Sequence, residues 1–165
     1  MGRGAFLAWM GLVLVGCGSS SSGPAQVTIN GVQPGATITL MPDDTYALNF
    51  SASNFSLQQQ GQCGSSTTCG QAYLNIDGAA CNQPNQTYNA ITPTAANTST
   101  SMLFANFALC PAASLGGNHQ LTVSLHLDSG AQVVGTGNAP AQATVSVVVM
   151  GGTVSGTNPA DGGTR

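Results

Sequence analysis

The chain has 165 residues, of which only 4% are charged: two arginines, five aspartates and no lysine or glutamate. The formal net charge is −3, and this shortage of cations excludes nucleic-acid binding, because phosphate has to be neutralised by clustered Lys and Arg. It equally excludes electrostatic attraction to an anionic membrane surface.

Residues 1–16 have the composition of a cleavable leader. Arg3 is followed by an uninterrupted apolar run over residues 5–15. A membrane-spanning helix needs roughly 20 apolar residues, so this run is too short to be one. A single positive charge before a short apolar run is typical of a secretory signal peptide.

A lipidation motif closes this leader. The sequence Leu14-Val15-Gly16-Cys17 resembles the lipobox of bacterial lipoproteins. The resemblance implies that Cys17 receives a lipid and becomes the first residue after cleavage. Because residue 18 is not aspartate, it also implies an outer-membrane address in the bacterial cell envelope. Residues 17–24 are then the lipidated cysteine and a flexible Ser- and Gly-rich linker. The alternative is an ordinary secretory signal with an incidental Cys17.

Four further cysteines follow: Cys63, Cys69, Cys81 and Cys110. An even number in an exported chain predicts disulfide bonds. Of the three possible pairings we favour Cys63–Cys69 with Cys81–Cys110, because the first closes a short Gly-Ser-Ser-Thr-Thr loop. A metal site of four thiolates is the alternative, but the spacing does not match a zinc ribbon.

Apolar and polar residues alternate with period two over most of the chain, which predicts strands with one buried face. The strands are expected at 25–30, 36–41, 46–50, 73–77, 101–109, 120–127, 131–136 and 143–149. Residues 57–70 and 82–100 are expected to be irregular, and residues 151–165 to be a disordered tail. We therefore predict that residues 25–150 form an all-β, two-sheet antiparallel immunoglobulin-like sandwich of about 7–8 strands, with a closed barrel as the alternative.

Two stretches carry a family resemblance. Residues 117–130 resemble the penultimate strand and turn of bacterial immunoglobulin-like modules, and Val133-Val134 followed by residues 140–149 resemble their last strand. Residues 69–78, followed by Gly-x-His-x-Leu-Thr-Val, are similar to lipoproteins of myxobacteria and their relatives. Those lipoproteins often have histidine at the positions of Gln71 and Tyr73, so no metal site is carried over to this chain. The resemblance implies a fold and an envelope address, but no reaction.

The carboxylates are expected to shape turns. Asp43, Asp44, Asp77 and Asp128 lie beside Pro, Ser or Gly residues in turn signals. Asp77 and Asp128 are the only pair that could be considered for a glycosidase, which needs two acids in one cleft. Turn formation explains these aspartates without any catalytic role.

Histidine and serine also predict no catalytic site. His119 and His126 are seven residues apart, so on one strand they face opposite sides and cannot share a metal ion. We expect His119 at a strand end and His126 facing solvent. Ser124, His126 and Asp128 share one face at about 6.6 Å intervals, too far apart for a hydrogen-bonded relay. We predict that the protein is not an enzyme and needs no cofactor.

Two tyrosines are the remaining candidates for ligand contact. Tyr73 faces away from its apolar neighbours in the strand, and Tyr88 lies in the polar segment 82–100. Aromatic rings flanked by amides are typical of sandwich domains that hold neutral sugars. We therefore expect a non-enzymatic lipoprotein that presents residues 57–70 and 82–100 to an envelope protein or polysaccharide.

Two other functions stay open. The first is a passive structural or surface-coat lipoprotein with no specific ligand. The second is a metal-binding envelope protein, in which Met41, Met102, Met150 and a histidine would hold copper. We interpret these methionines instead as strand or core residues.

Overall fold

The structure, a computed structural model, describes residues 23–80, 91–93, 100–109 and 115–150. This part of the chain is all-β and contains no α-helix. Its strands are β1 (Gln26–Asn30), β2 (Ala36–Thr39), β3 (Thr45–Ser53), β4 (Ser56–Leu57), β5 (Cys69–Ile76), β6 (Ala79–Ala80), β7 (Ile91–Pro93), β8 (Thr100–Asn106), β9 (Gly117–Leu127) and β10 (Gln142–Met150). Two short 3-10 helices span Phe107–Leu109 and Thr136–Asn138. The predicted leader and tail lie outside the described residues, as do Cys17, Cys81, Tyr88 and Cys110.

The strands form two sheets. The smaller sheet has the order β1-β3-β8-β7 and is antiparallel throughout. The larger sheet has the order β2-β10-β9-β5-β4, with β6 also paired to β5. Two pairs in the larger sheet, β2 with β10 and β4 with β5, are parallel. The prediction of wholly antiparallel sheets is therefore wrong at the two edges of the larger sheet.

The chain changes sheets between β1 and β2. Gly31 and Gly35 have φ angles of 76° and 78°, a region that residues with a Cβ atom rarely adopt. The Gly35 N–H donates a hydrogen bond to the carbonyl of Ser146 in β10 at 2.7 Å. As a result β1 pairs with β3 in the smaller sheet, whereas β2 continues beside β10 in the larger one.

One hydrophobic core is shared by both sheets. Alternate residues of β3, β5, β8, β9 and β10 point inward, as period two requires. The largest fully buried apolar side chains are Phe50, Phe107, Leu48, Leu74, Ile76, Leu103, Leu121, Leu125, Val123 and Val147. Full burial of a side chain of this size contributes about 1.5–3 kcal/mol, so this core is the main source of stability.

The two ends of the fold bring different segments together. At one end, where β1 begins, Asn54 Nδ2 donates to the carbonyl of Pro24 at 3.0 Å. Strands β5 and β10 also begin at this end, and β9 ends there. At the opposite end, the Phe107 N–H donates to the carbonyl of Asp44 at 3.0 Å. We call these the N-terminal end and the opposite end of the fold.

Some predicted elements differ from the observed ones. Residues 131–136 form only isolated bridges, because the glycines at 130 and 137 adopt positive φ and turn the chain. That predicted strand is wrong. The strand predicted over 101–109 ends at Asn106, where the Phe107–Leu109 helix begins. The short strand β7 lies inside the segment predicted to be irregular.

Candidate functional site

The outward side of the larger sheet brings together aromatic, amide and hydroxyl side chains. Tyr73 lies opposite Ser124 across β5 and β9, and its neighbours Leu74 and Ile76 are fully buried on the other side. The predicted orientation of Tyr73 is therefore confirmed. The side chains of this surface, which we call the outer face, are Gln71, Tyr73, Asn75, Thr122, Ser124, His126, Gln132, Gln142 and Thr144.

An aromatic stack occupies the middle of the outer face. The rings of Tyr73 and His126 lie 3.8 Å apart between centroids and are inclined by only 9°. The two residues are diagonal neighbours, because His126 is directly opposite Gln71 in the register of β5 and β9. Diagonal positions on one sheet face are within reach of aromatic side chains. The strand register, rather than a loop, therefore positions the stack.

Two hydrogen bonds fix the His126 ring. Its Nδ1 lies 3.0 Å from the carbonyl oxygen of Gly130, and its Nε2 lies 3.0 Å from Ser124 Oγ. A carbonyl can only accept, so Nδ1 carries the hydrogen and Nε2 of the neutral ring accepts from the Ser124 hydroxyl. The expectation that Ser124 and His126 are too far apart is wrong, because the imidazole extends along the strand. Ser124 is 4% exposed, so its hydroxyl orients the ring from beneath.

Asp128 does not join the Ser124–His126 pair, because its carboxylate is bound elsewhere. One oxygen accepts from the Gly61 N–H at 3.2 Å and from the Gln71 side-chain amide. The other accepts from the N–H groups of Cys63 and Gly64 at 2.8 and 2.9 Å. The Gln71 hydrogen bond is the main cause that lowers the pKa of Asp128; desolvation opposes it, and the backbone donors add to it.

These hydrogen bonds hold the loop that contains the disulfide. Cys63 and Cys69 are bonded, as predicted, with their Cα atoms 5.5 Å apart. Gln71 lies on the outer face yet has no exposed surface. We call Asp128, Gln71 and the Cys63–Cys69 loop the Asp128 latch. The hydrogen bonds of the Asp128 latch hold this Gly-, Ser- and Gln-rich segment in one conformation at the edge of the outer face.

The second histidine lies in the core. His119 is 5% exposed, its ring packs edge-on against Phe107 at 5.3 Å, and its Nδ1 lies 2.7 Å from Asp77 Oδ2. His119 is the third residue of β9, so it lies near a strand end as expected, and it is buried there; the two histidines lie on opposite faces of β9. We call Asp77, His119 and Phe107 the His119 cluster.

A tight turn aims the Asp77 carboxylate at this histidine. Asp77 and Gly78 have φ angles of 52° and 79°, as the two-residue hairpin between β5 and β6 requires. The other Asp77 oxygen accepts from the Gln120 N–H at 2.8 Å. Burial alone would raise the pKa of Asp77, but the hydrogen bonds from His119 and Gln120 hold it below its usual value. The prediction that Asp77 forms a turn is correct, but it did not include the contact of the Asp77 carboxylate with His119.

The other predicted aspartates also shape a turn. The Asp44 N–H donates to the carbonyl of Met41 at 2.9 Å, and Asp44 has a φ angle of 58°. Asp43 accepts from the Thr45 hydroxyl at 2.7 Å, and this bond lowers the pKa of Asp43. Turn formation therefore accounts for both residues.

Two of the candidate methionine ligands for a metal lie on different sheets. Met102 lies in the smaller sheet, whereas Met150 ends β10 in the larger sheet and is exposed. Within residues 23–80, 91–93, 100–109 and 115–150, no three His, Cys, Asp or Glu side chains are grouped as metal ligands would be. The groups that the described residues bring together on the outer face are hydrogen-bonding and aromatic side chains.

Comparison of the chain with protein-family models, with curated proteins and with solved structures finds no match to any of them. In the part of the chain that the structure describes, no helix has both the length and the apolar character needed to span a bilayer.

Sequence reasoning missed three residues of this site. Gln71, Ser124 and His126 acquire their roles from the pairing of β5 with β9. Period-two alternation places Ser124 and His126 on the face of Asp128, but it does not give the register that brings Tyr73 over them. The stack could therefore be found only once the strand pairing was known.

Proposed function

We propose that this chain is a lipid-anchored, non-catalytic binding module of the bacterial cell envelope, and that its outer face contacts an uncharged envelope polysaccharide. Cys17 would carry the lipid, and the outer membrane would be its address. The leader over residues 1–16 and the lipobox support this location. The Cys63–Cys69 disulfide fits an oxidising compartment.

An immunoglobulin-like sandwich is the fold that best fits the strand order. In that fold one sheet holds strands A, B, E and D, and the other holds C, F and G. The order β1-β3-β8-β7 corresponds to A, B, E and D in chain sequence, and β5, β9 and β10 correspond to C, F and G. This correspondence supports the proposal that the two sheets form such a sandwich.

The observation that carries the proposed ligand class is the uncharged polar surface around the aromatic stack. The Thr122 and Thr144 hydroxyls lie 2.9 Å apart, and Gln132 Nε2 donates to Gln142 Oε1 at 3.1 Å; both pairs are exposed. Hydroxyls and amides both donate and accept hydrogen bonds, as sugar hydroxyls do. The described residues include no Lys, Arg or Glu, so the outer face offers an anionic ligand no lysine or arginine.

The test is binding of the purified full-length protein to polysaccharide extracted from the envelope of the producing cells. We expect Tyr73→Ala and His126→Ala each to weaken binding at least tenfold, about 1.4 kcal/mol, since each change removes one ring of the stack. Tyr88→Ala tests the second predicted contact in the same assay. Asn49→Ala is the matched control, because Asn49 is exposed on the smaller sheet, away from the outer face.

Each outcome of this assay distinguishes between functions. Binding that survives both Tyr73→Ala and His126→Ala would show that the outer face is the wrong surface. Binding of an envelope protein instead of polysaccharide, with the same sensitivity to Tyr73→Ala, would contradict the ligand class and retain the surface. If wild-type protein binds neither, the passive surface-coat function is favoured. Circular dichroism of each variant establishes that it is folded.

A further inference from the structure

We propose that the N-terminal end of the fold faces the lipid bilayer, with the loop over residues 129–141 against the lipid head groups and the opposite end pointing away. This inference rests on the lipid anchor of the proposed function. It assigns a membrane-contacting surface to a specific loop, and it determines which parts of the domain a partner can reach.

The chain leaves the domain beside this loop. Gln26 Nε2 lies 3.4 Å from Thr136 Oγ1, and a Cβ atom added to Gly135 would come within 2.9 Å of the Ala25 carbonyl oxygen. The start of β1 and the 129–141 loop are therefore in direct contact. Any tether that continues from residue 23 toward Cys17 begins next to this loop.

The tether is short compared with the domain. Six residue steps separate Cys17 from Gly23, and fully extended they span at most roughly 20 Å. Strand β9, with 11 residues, runs about 35 Å from the opposite end to the N-terminal end. A lipid on Cys17 thus keeps the N-terminal end near the bilayer, whereas the opposite end approaches it only if the domain lies flat.

The distribution of charged residues favours the orientation in which the opposite end points away from the bilayer. Asp43, Asp44 and Asp77 all lie at the opposite end, where anionic lipid head groups would repel them if the domain lay flat. Asp128, at the N-terminal end, is engaged in the four hydrogen bonds of the Asp128 latch. The 129–141 loop itself contains no charged residue.

The same loop offers one large apolar side chain to the membrane. Val134 is 59% exposed, and the other exposed apolar residues of the loop are the smaller Ala131, Ala139 and Pro140. Met150, at the opposite end of β10, is also 59% exposed. These two positions form a matched pair, because they have equal exposure and lie at opposite ends of the fold.

Fluorescence quenching in vesicles tests this orientation. The only tryptophan of the chain is Trp9, in the leader, so the processed protein has no tryptophan background. Full-length Val134→Trp and Met150→Trp are expressed with lipid attached and reconstituted into phosphatidylethanolamine–phosphatidylglycerol vesicles that contain a head-group nitroxide lipid. We expect the fluorescence of Val134→Trp to be quenched and that of Met150→Trp to be unaffected.

The controls separate the anchor from the orientation. Wild-type protein should float with the vesicles and Cys17→Ala should not; if wild type does not float, the lipid anchor and this inference both fail. Flotation with equal quenching of the two tryptophans, or with stronger quenching of Met150→Trp, overturns the orientation alone. Hydrogen exchange is measured on the wild type, which has no tryptophan at residue 134, to check that the loop contacts the bilayer without the substitution. Amides of residues 129–141 should be protected by vesicles, and unchanged exchange there would also overturn the proposal.

Discussion

Strand β9 has a hydrogen-bonded aspartate at each of its ends, and the two aspartates hold different kinds of structure. In the His119 cluster, the Asp77 carboxylate holds an imidazole inside the core, against Phe107. In the Asp128 latch, the carboxylate holds a loop outside the sheet by three backbone N–H groups and one amide. The same residue type, placed in a turn in each case, therefore fixes the core at one end and a surface at the other.

This difference separates global from local stability. A buried cluster is lost only when the whole domain unfolds, whereas a loop can open while the sheet stays intact. Variants of the His119 cluster should therefore change the unfolding free energy of the domain. Variants of the Asp128 latch should act mainly on residues 58–68.

The largest expected effect is that of His119→Ala. We expect a loss of about 3 kcal/mol, because the change leaves a cavity beside Phe107 and removes the partner of Asp77. The control is His126→Ala, which removes a half-buried ring and should cost about 1 kcal/mol. Urea unfolding measures both, and equal losses would contradict the distinction between a core and a surface histidine.

Removal of the disulfide tests the latch. The double variant Cys63→Ser, Cys69→Ser should lower the free energy of opening of residues 58–68 by roughly 2–3 kcal/mol, the usual contribution of a short closed loop. Hydrogen exchange should accelerate in residues 58–68 and stay unchanged in the half of β9 next to His119. Acceleration along the whole of β9 would show instead that the loop and the core unfold together.

Acid should weaken both aspartate sites. The pKa values of Asp77 and Asp128 are lowered in the folded protein, so each carboxylate contributes stability that is complete above about pH 4 and is lost as the pH falls through the folded pKa. Asp77→Asn should flatten the pH dependence of the global unfolding free energy below about pH 4. Asp128→Asn should instead flatten the pH dependence of hydrogen exchange in residues 58–68. If Asp77→Asn changed loop exchange and Asp128→Asn changed global unfolding, the distinction between the two aspartates would be wrong.

The smallest expected effect is that of Ser124→Ala. It removes the hydrogen bond to His126 Nε2 and should cost about 1 kcal/mol. Nitrogen chemical shifts of the imidazole should show hydrogen on Nδ1 in the wild type, because that nitrogen donates to the Gly130 carbonyl. A wild-type ring with hydrogen on Nε2 would contradict the geometry of the stack.

Much of this fold could be predicted from alternation alone. Strands β3, β5, β9 and β10 fall where period two places them, and the Cys63–Cys69 pair follows from its short spacing. These features are local, so a single sequence contains the information. The strand predicted over residues 131–136 is wrong because Val133 and Val134 favour a strand, whereas the surrounding glycines determine the path of the chain.

The candidate site depended on information that the sequence does not contain. Ser124 and His126 could be assigned to one face, but their contact with Tyr73 needs the register of β5 against β9. Asp128 reaches a loop that lies 64 to 67 residues earlier in the chain, a long-range contact that no local pattern indicates. The alternation of side chains along a strand thus predicts which face of the sheet each residue lies on. Which residues come into contact on that face depends on the register of strand pairing.

The sheet edges described above have a consequence for solubility. A protein with so few charges has little electrostatic repulsion to keep copies of itself apart, and open strand edges are where sheets of separate molecules join. Among the described residues the outermost strands are brief: β1 has five residues, β2 has four, β4 has two, and β7 has three and ends in a proline. Short edges offer few backbone groups to a neighbouring molecule, so this geometry protects against self-association where most proteins rely on charge.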